Sequence, residues 1–352
     1  MTNFRRQYVM KKKIILCLLS GILGVSLLTG CSSKINEDAT VVTVGKNEVT
    51  LGEANFYARM TQAQWETYYS SYLGEEMWKQ EAEEGVTYEE SVKKDILTQL
   101  EQMAVLKDHA EEEGVGISEE ESTKIKEAAK AFVKANKEDD LEKVSGSTKS
   151  VESVLEMLTL NQKMSTVIGN KADSEVSDEE AAQKSMDYVS FPFTVTDEEG
   201  QSKELTEDEI TALKETAKTF AAEGKTAEDF KAYASEKGYE ATTVTFDSES
   251  TSVNADLLAA AEGLKAGETT EAIESDSAVY VGRVTSLLDR TATDAKKESI
   301  VEERKSELYK TTVEKWVKDA GTKVDKGNWK KVDFQSLKVT IKQVEQTEEE
   351  AN

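Results

Sequence analysis

The chain has 352 residues, 69 acidic and 44 basic, for a net charge of −25. An acidic surplus of that size argues against nucleic-acid binding, which needs a basic patch for phosphate contacts, and keeps the protein soluble. One proline and 24 aromatic residues in such a length predict a helix-rich architecture of about two domains.

The first thirty residues hold Arg5, Arg6, Lys11, Lys12 and Lys13 and no acid, and an apolar run extends from Ile14 to Leu28. That order suits an export signal and is too short to favour a permanent membrane helix. Met10 opens a more economical signal, so translation starts at Met1 or Met10. The run ends Leu28-Thr29-Gly30-Cys31, which resembles the bacterial lipoprotein box. The resemblance implies a signal peptide over 1–30, cleavage before Cys31, and lipid (palmitate among the acyl chains) on its sulfur. The protein is then expected on the extracytoplasmic face of the cell membrane, lipid-anchored. One acyl chain binds only marginally, so the diacylglycerol of such processing would be needed. The alternative is an ordinary secretory signal that happens to contain a cysteine. Cys17 would leave with the signal, so the mature chain would offer no disulfide, zinc-finger spacing or cysteine nucleophile. Losing five basic residues would take its net charge from −25 to −30.

Residues 31–40 read as a polar tether. Val41–Val44, a turn at Gly45-Lys46-Asn47 and Glu48–Thr50 read as a strand and its return. Thr50 with Glu53 forms a capping box, opening a helix that carries Phe56, Tyr57, Met60, Trp65, Tyr68, Tyr69 and Tyr72. Thr87 with Glu90 opens a second helix to about Glu113, with Val92, Ile96, Leu100, Met103 and Ala104 in one apolar stripe. Gly114 is a natural stop. Ser118 with Glu121 opens a third, carrying Ile125, Ala128, Ala129 and Phe132. Residues 137–150 read as a loop, and Val151 to Val167 as a fourth helix.

The pattern changes near residue 185. Met186–Val195 reads as a strand, Thr206 with Glu209 caps a helix to about Glu223, and 226–237 is a shorter one. Ala241–Phe246, Ala255–Leu264 and Val279–Leu288 follow as strand, helix and strand. This β-α-α-β-α-β order is a self-sufficient α+β unit. After Arg290 a helical stripe of Ile300, Val301, Leu308, Val313, Trp316, Val317 and Ala320 ends at Gly321. With no partner of its own, that helix is expected to pack on the N-terminal helices, making 186–290 an insert. Residues 335–352 read as an acidic tail, disordered from Glu345.

Chemistry-bearing patterns are sparse. His109, the one histidine, lies among Asp108, Glu111, Glu112 and Glu113 and reads as a solvated residue near a helix end. One histidine with scattered carboxylates gives no zinc-ligand spacing, so no metal, cofactor or catalytic residue is assigned. Residues 55–78 hold seven aromatics with Met60 and Met77. Such side chains suit either a core or an adaptable surface for varied clients.

In this order of elements the chain resembles the SurA/PrsA group of extracytoplasmic foldases, whose helical chaperone domain brackets a parvulin-type peptidyl-prolyl isomerase domain. Thr226–Ala234 looks like the parvulin phrase in which an Asp-Phe pair leads into a helix. Leu264-Lys265-Ala266-Gly267-Glu268-Thr269-Thr270 looks like the turn before its last strand. The resemblance implies an α+β fold: a mainly helical SurA-N-like domain over 41–185, completed by a helix and strand over 291–334, with a parvulin-like domain inserted at 186–290. It implies a chaperone binding unfolded or newly secreted polypeptides. The client-binding residues expected are Phe56, Met60, Trp65 and Tyr68 in the helical part, and Phe191, Phe193, Phe246 and Tyr280 in the insert. Active parvulins carry two facing histidines. Here Ser190 or Phe191 stands in place of the first and Tyr280 in place of the second, so the insert is expected to bind rather than isomerise. An active isomerase is the alternative, and a solute-binding lipoprotein a further one.

Overall fold

The computed structural model describes residues 22–27, 35–196 and 200–342. Cys31 and the start of the expected tether lie outside them. The fold is α+β, in two compact units: Met1–Ala172 with Lys305–Asn352, and Asp173–Arg304.

The first unit opens with a strand, β1 (Ile22–Leu27). Residues 36–40 do not hang free as a tether. Glu37 and Ala39 accept backbone bonds from Gly52 and Leu51 (2.9 and 2.6 Å), engaging amide groups that a helix start leaves without intrahelical partners. Thr40–Val44 (β2) and Asn47–Thr50 (β3) form a hairpin, with Gly45 at φ 58° in its turn, where glycine carries no Cβ penalty. The chain then enters α1 (Leu51–Leu73), capped reciprocally by Thr50 and Glu53. A small hairpin, β4 (Glu81–Glu83) and β5 (Val86–Thr87), leads to α2 (Tyr88–His109), capped by Thr87 and Glu90. Next come α3 (Glu119–Ala135), capped by Ser118 and Glu121, then α4 (Glu138–Val144) and α5 (Thr148–Gly169). Helix α4 falls where a loop was expected. Glu138, Asp139 and Asp140 in its first turn suit the positive end of the helix dipole, and Val144 anchors it in the core.

The second unit contains β6 (Lys184–Pro192), the hairpin β7 (Thr194–Thr196) and β8 (Ser202–Glu204), α6 (Glu207–Gly224) and α7 (Phe230–Glu236). It continues through β9 (Thr242–Phe246), α8 (Ala255–Glu262), β10 (Ile273–Glu274) and β11 (Ala278–Ser286). The sheet runs β10-β11-β6-β9, each pair antiparallel. Alternation along β6 and β11 divides the side chains between two cores. Val189, Phe191, Val279 and Val281 join Phe220 and Phe230 on one face. Met186 and Val284 join Phe246 and Leu257 on the other. Gly282 lets that second core close: a Cβ there would lie 3.1 Å from Leu257 Cδ1 and 3.3 Å from Met186 Sδ.

Helix α9 (Arg290–Ala320) returns the chain to the first unit. There Val313 is fully buried, and Leu308, Tyr309, Trp316 and Val317 pack on the helical core. From Leu308 onward the stripe packs on the core of the first unit, whereas Ile300 and Val301 fall within the second unit. Gly321 (φ 75°) ends α9, and its carbonyl accepts from Gly45 N at 3.1 Å. Then β12 (Thr322–Val324) completes the sheet β12-β2-β3, followed by the turn α10 (Lys326–Trp329). The stretch from 335, expected as an acidic tail, is instead structured to residue 342. Strand β13 (Leu337–Lys342) pairs antiparallel with β1, and Leu337 and Val339 are buried.

Candidate client-binding surfaces

In the second unit the expected histidine positions fall on the two central strands. Tyr280 of β11 lies directly opposite Ser190 of β6. Tyr188, two residues before Ser190 and on the same face, has its ring 6.3 Å from that of Tyr280. All three side chains are half-buried, above the floor built from Met186, Phe246 and Leu257. Phe191 turns to the opposite core, 5.4 Å from Phe220 and 4.6 Å from Tyr239. The face offers two aromatic rings and hydroxyl groups and no imidazole, since the chain's one histidine is His109.

Burial corrects most of the expected client-contact set. Phe56, Met60, Phe191, Phe193 and Phe246 are core side chains, from 0 to 9% exposed. Phe56, for example, meets Phe132 edge to face at 5.4 Å. Burying such a side chain stabilises the fold by about 1.5–3 kcal/mol, so presenting it to a client would forfeit that amount. Trp65 is half-buried among Tyr69 (5.1 Å), Trp78 (6.1 Å) and Tyr88 (6.0 Å). Tyr68 is exposed, together with Tyr69 and Tyr72, on the last two turns of α1 (54, 41 and 85%). Tyr69 and Tyr72 were not assigned from sequence, because an aromatic run does not reveal where the covering elements stop.

Beneath those tyrosines α1 carries a feature that sequence reasoning missed. Asn55, Arg59, Gln62 and Glu66 form a buried polar row at helical spacing. Arg59 donates to Asn55 Oδ1 (3.2 Å), Gln62 Oε1 (2.6 Å) and the carbonyl of Asp333 (3.0 Å). Burial lowers its pKa to about 10, partly offset by Asp333, Glu89 and Glu66, so it stays charged at neutral pH. Gln62 donates to the carbonyls of Phe334 and Leu337 (3.0 and 2.5 Å). Glu66 accepts from Trp78 Nε1 (2.8 Å), Gln62 Nε2 (2.7 Å) and Val339 N (2.7 Å). Burial raises the Glu66 carboxyl, and these bonds hold part of the rise back. The row holds the main chain of residues 333–339 against the helix. A polar step of four, three and four residues within an otherwise apolar helix is the signal that could have revealed it.

Among the described residues no three His, Cys, Asp or Glu side chains gather closely enough to hold a metal ion. Nor is any helix there long and apolar enough to cross a membrane.

Residues 1–143 match the SurA-like N-terminal domain family. The N-terminal part of this chain is a SurA-like domain. The match falls on the N-terminal part of the first unit. No curated protein matches it. Among solved structures it is similar to the foldase PrsA of Lactococcus lactis (16% identity, 84% of this chain and 97% of that one, TM-score 0.34). It is also similar to the peptidylprolyl isomerase PrsA of Bacillus cereus (16%, 84% and 98%, TM-score 0.31) and to PrsA of Bacillus subtilis (19%, 70% and 93%, TM-score 0.22). Likeness at this level says nothing about activity.

Proposed function

We propose that the protein is an extracytoplasmic foldase or holdase that binds unfolded, newly exported polypeptides and is held to the membrane by lipid on Cys31. The observation that carries the reading is the SurA-like segment closed by α9 into a helical unit that leaves Tyr68, Tyr69 and Tyr72 exposed. Tyrosine pairs an apolar ring with a polar tip, which suits contact with many client sequences. In the parvulin-like unit Ser190 faces Tyr280 where the resemblance expects histidines, and this unit serves binding.

Peptidyl-prolyl isomerisation is the second reading, favoured by the half-buried Tyr188–Tyr280 pair. The reaction needs no covalent nucleophile, only a lowering of a barrier of about 18–20 kcal/mol. A paired assay separates the two. Purified protein is added to an aggregating client and to a test protein whose slow refolding phase, tens of seconds at 25 °C, is proline-limited. Suppressed aggregation with an unchanged slow phase is expected, and Tyr68→Ser with Tyr72→Ser should weaken suppression severalfold at unchanged stability. Strong substoichiometric acceleration that Tyr280→Ala abolishes would install the isomerase in its place.

The anchor is tested separately. Cys31→Ala should leave unprocessed precursor or release the protein into the medium. Normal processing of that variant, extractable only by detergent, would sink the lipid assignment.

A further inference from the structure

Strand β13 is held along one edge by helix side chains. Val339 N donates to Glu66 Oε2 (2.7 Å) and Ile341 N to Thr67 Oγ1 (2.9 Å), while the Leu337 carbonyl accepts from Gln62 Nε2 (2.5 Å). Backbone groups alternate in direction along a strand, so those of residues 338, 340 and 342 point to the other edge. There β1 lies antiparallel in a two-stranded sheet, with Ile22, Gly24 and Ser26 opposite Lys342, Thr340 and Lys338. The segment seated on that edge is Ile-Leu-Gly-Val-Ser-Leu, an extended apolar hexapeptide from the expected signal peptide.

We infer that, once residues 1–30 are removed, this edge of β13 takes an extended apolar segment of an unfolded polypeptide as an added antiparallel strand. The inference rests on the proposed processing at Cys31. Cleavage there takes β1 away and leaves β13 as an edge strand, a template for another chain. Gln62, Glu66 and Thr67 of α1 pin β13 on its far side, so the incoming strand bears little of the ordering cost. Main-chain bonds supply affinity that does not depend on client sequence, as a general chaperone requires. Lys338 on the same strand is a residue type that edge strands use against indiscriminate self-pairing. In the precursor the signal segment fills the site, so client binding begins with processing.

The test measures anisotropy of a fluorescein-labelled peptide carrying the 22–27 sequence between polar ends. It is titrated with the processed protein extracted from membranes, its N-terminus read by mass spectrometry, and with the unprocessed Cys31→Ala precursor. The processed protein should bind at least tenfold more tightly. N-methylating the amide that corresponds to Gly24, which faces β13, should weaken binding about tenfold. The same change at the amide corresponding to Val25, which faces away, should have little effect. A protein correctly processed at Cys31 that ignores the peptide, or binds both methylated forms alike, overturns the strand site and leaves the anchor standing. Membrane-extracted protein that retains residues 1–30 overturns both.

Discussion

His109 and Trp316 stack face to face, their ring centroids 4.0 Å apart and their planes within 9°. The histidine ends α2 and the tryptophan lies in the last two turns of α9, so the pair joins the SurA-like segment to the helix that closes it. The chain's one histidine is thus a packing contact, with Nδ1 3.1 Å from Glu112.

Removing either ring should loosen that closure. His109→Ala should cost about 0.5–1.5 kcal/mol, the range of a stacked pair. Trp316→Ala, which also strips a large partly buried side chain from the core's surface, should cost about 2–3 kcal/mol. The double variant should lose less than both losses added together. Urea unfolding followed by far-ultraviolet circular dichroism would measure this, and strict additivity would show that the rings do not support each other.

Acid should act on the second unit through Asp247. Its carboxylate accepts from Gln183 Nε2 (2.6 Å) and Ser250 Oγ (2.9 Å) and pairs with Lys296 (3.1 Å). Burial opposes ionisation, but these partners outweigh it and hold the group at about 2, below its ordinary 3.8. A depressed carboxylate stabilises the fold above its unfolded value, and that stability is lost as pH falls through the folded value. Asp247→Asn should therefore cost about 2 kcal/mol at pH 6, with the difference shrinking from pH 4 toward 2. Calorimetric melts across that range would check it, and a difference constant with pH would refute it.

The insert should be removable. A Cβ placed on Gly169, at the end of α5, would lie 3.2 Å from Lys305 Cβ on α9, so the two ends of the helical unit touch. Replacing 173–304 by a short Gly/Ser linker should then cost little closure entropy. Trp65, Trp78, Trp316 and Trp329 all lie outside that stretch and report the helical unit alone. A cooperative tryptophan transition near that of the full chain is expected. Ending the chain at residue 304 should abolish it, because the core facing Leu308 and Val313 would meet water. The opposite pair of results would overturn the inserted arrangement.

Much of this fold is written locally. Each capping box, Thr50 with Glu53, Thr87 with Glu90, Ser118 with Glu121 and Thr206 with Glu209, closes within one helical turn and forms as its spacing dictates. The α2 stripe and the Gly321 stop are equally local, and the longer strands and helices from 184 to 286 follow from side-chain periodicity, though the short β7–β8 hairpin and β10 do not. The resemblance placed Tyr280 opposite Ser190 or Phe191, and the strand register decides for Ser190.

What the tertiary structure decided is which side chains are covered and by what. Phe56 and Tyr72 sit on one helix with similar rings, yet one is fully buried and the other 85% exposed, because α3 covers the first and, among the described residues of the same unit, nothing covers the second so fully. In the polar row, Arg59, Gln62 and Glu66 have no meaning until residues 333–339, more than 260 positions away in sequence, supply their backbone partners. Short-range hydrogen bonding and periodicity belong to a stretch of chain, whereas burial belongs to a pair of surfaces, and a surface exists only after the chain has closed on itself.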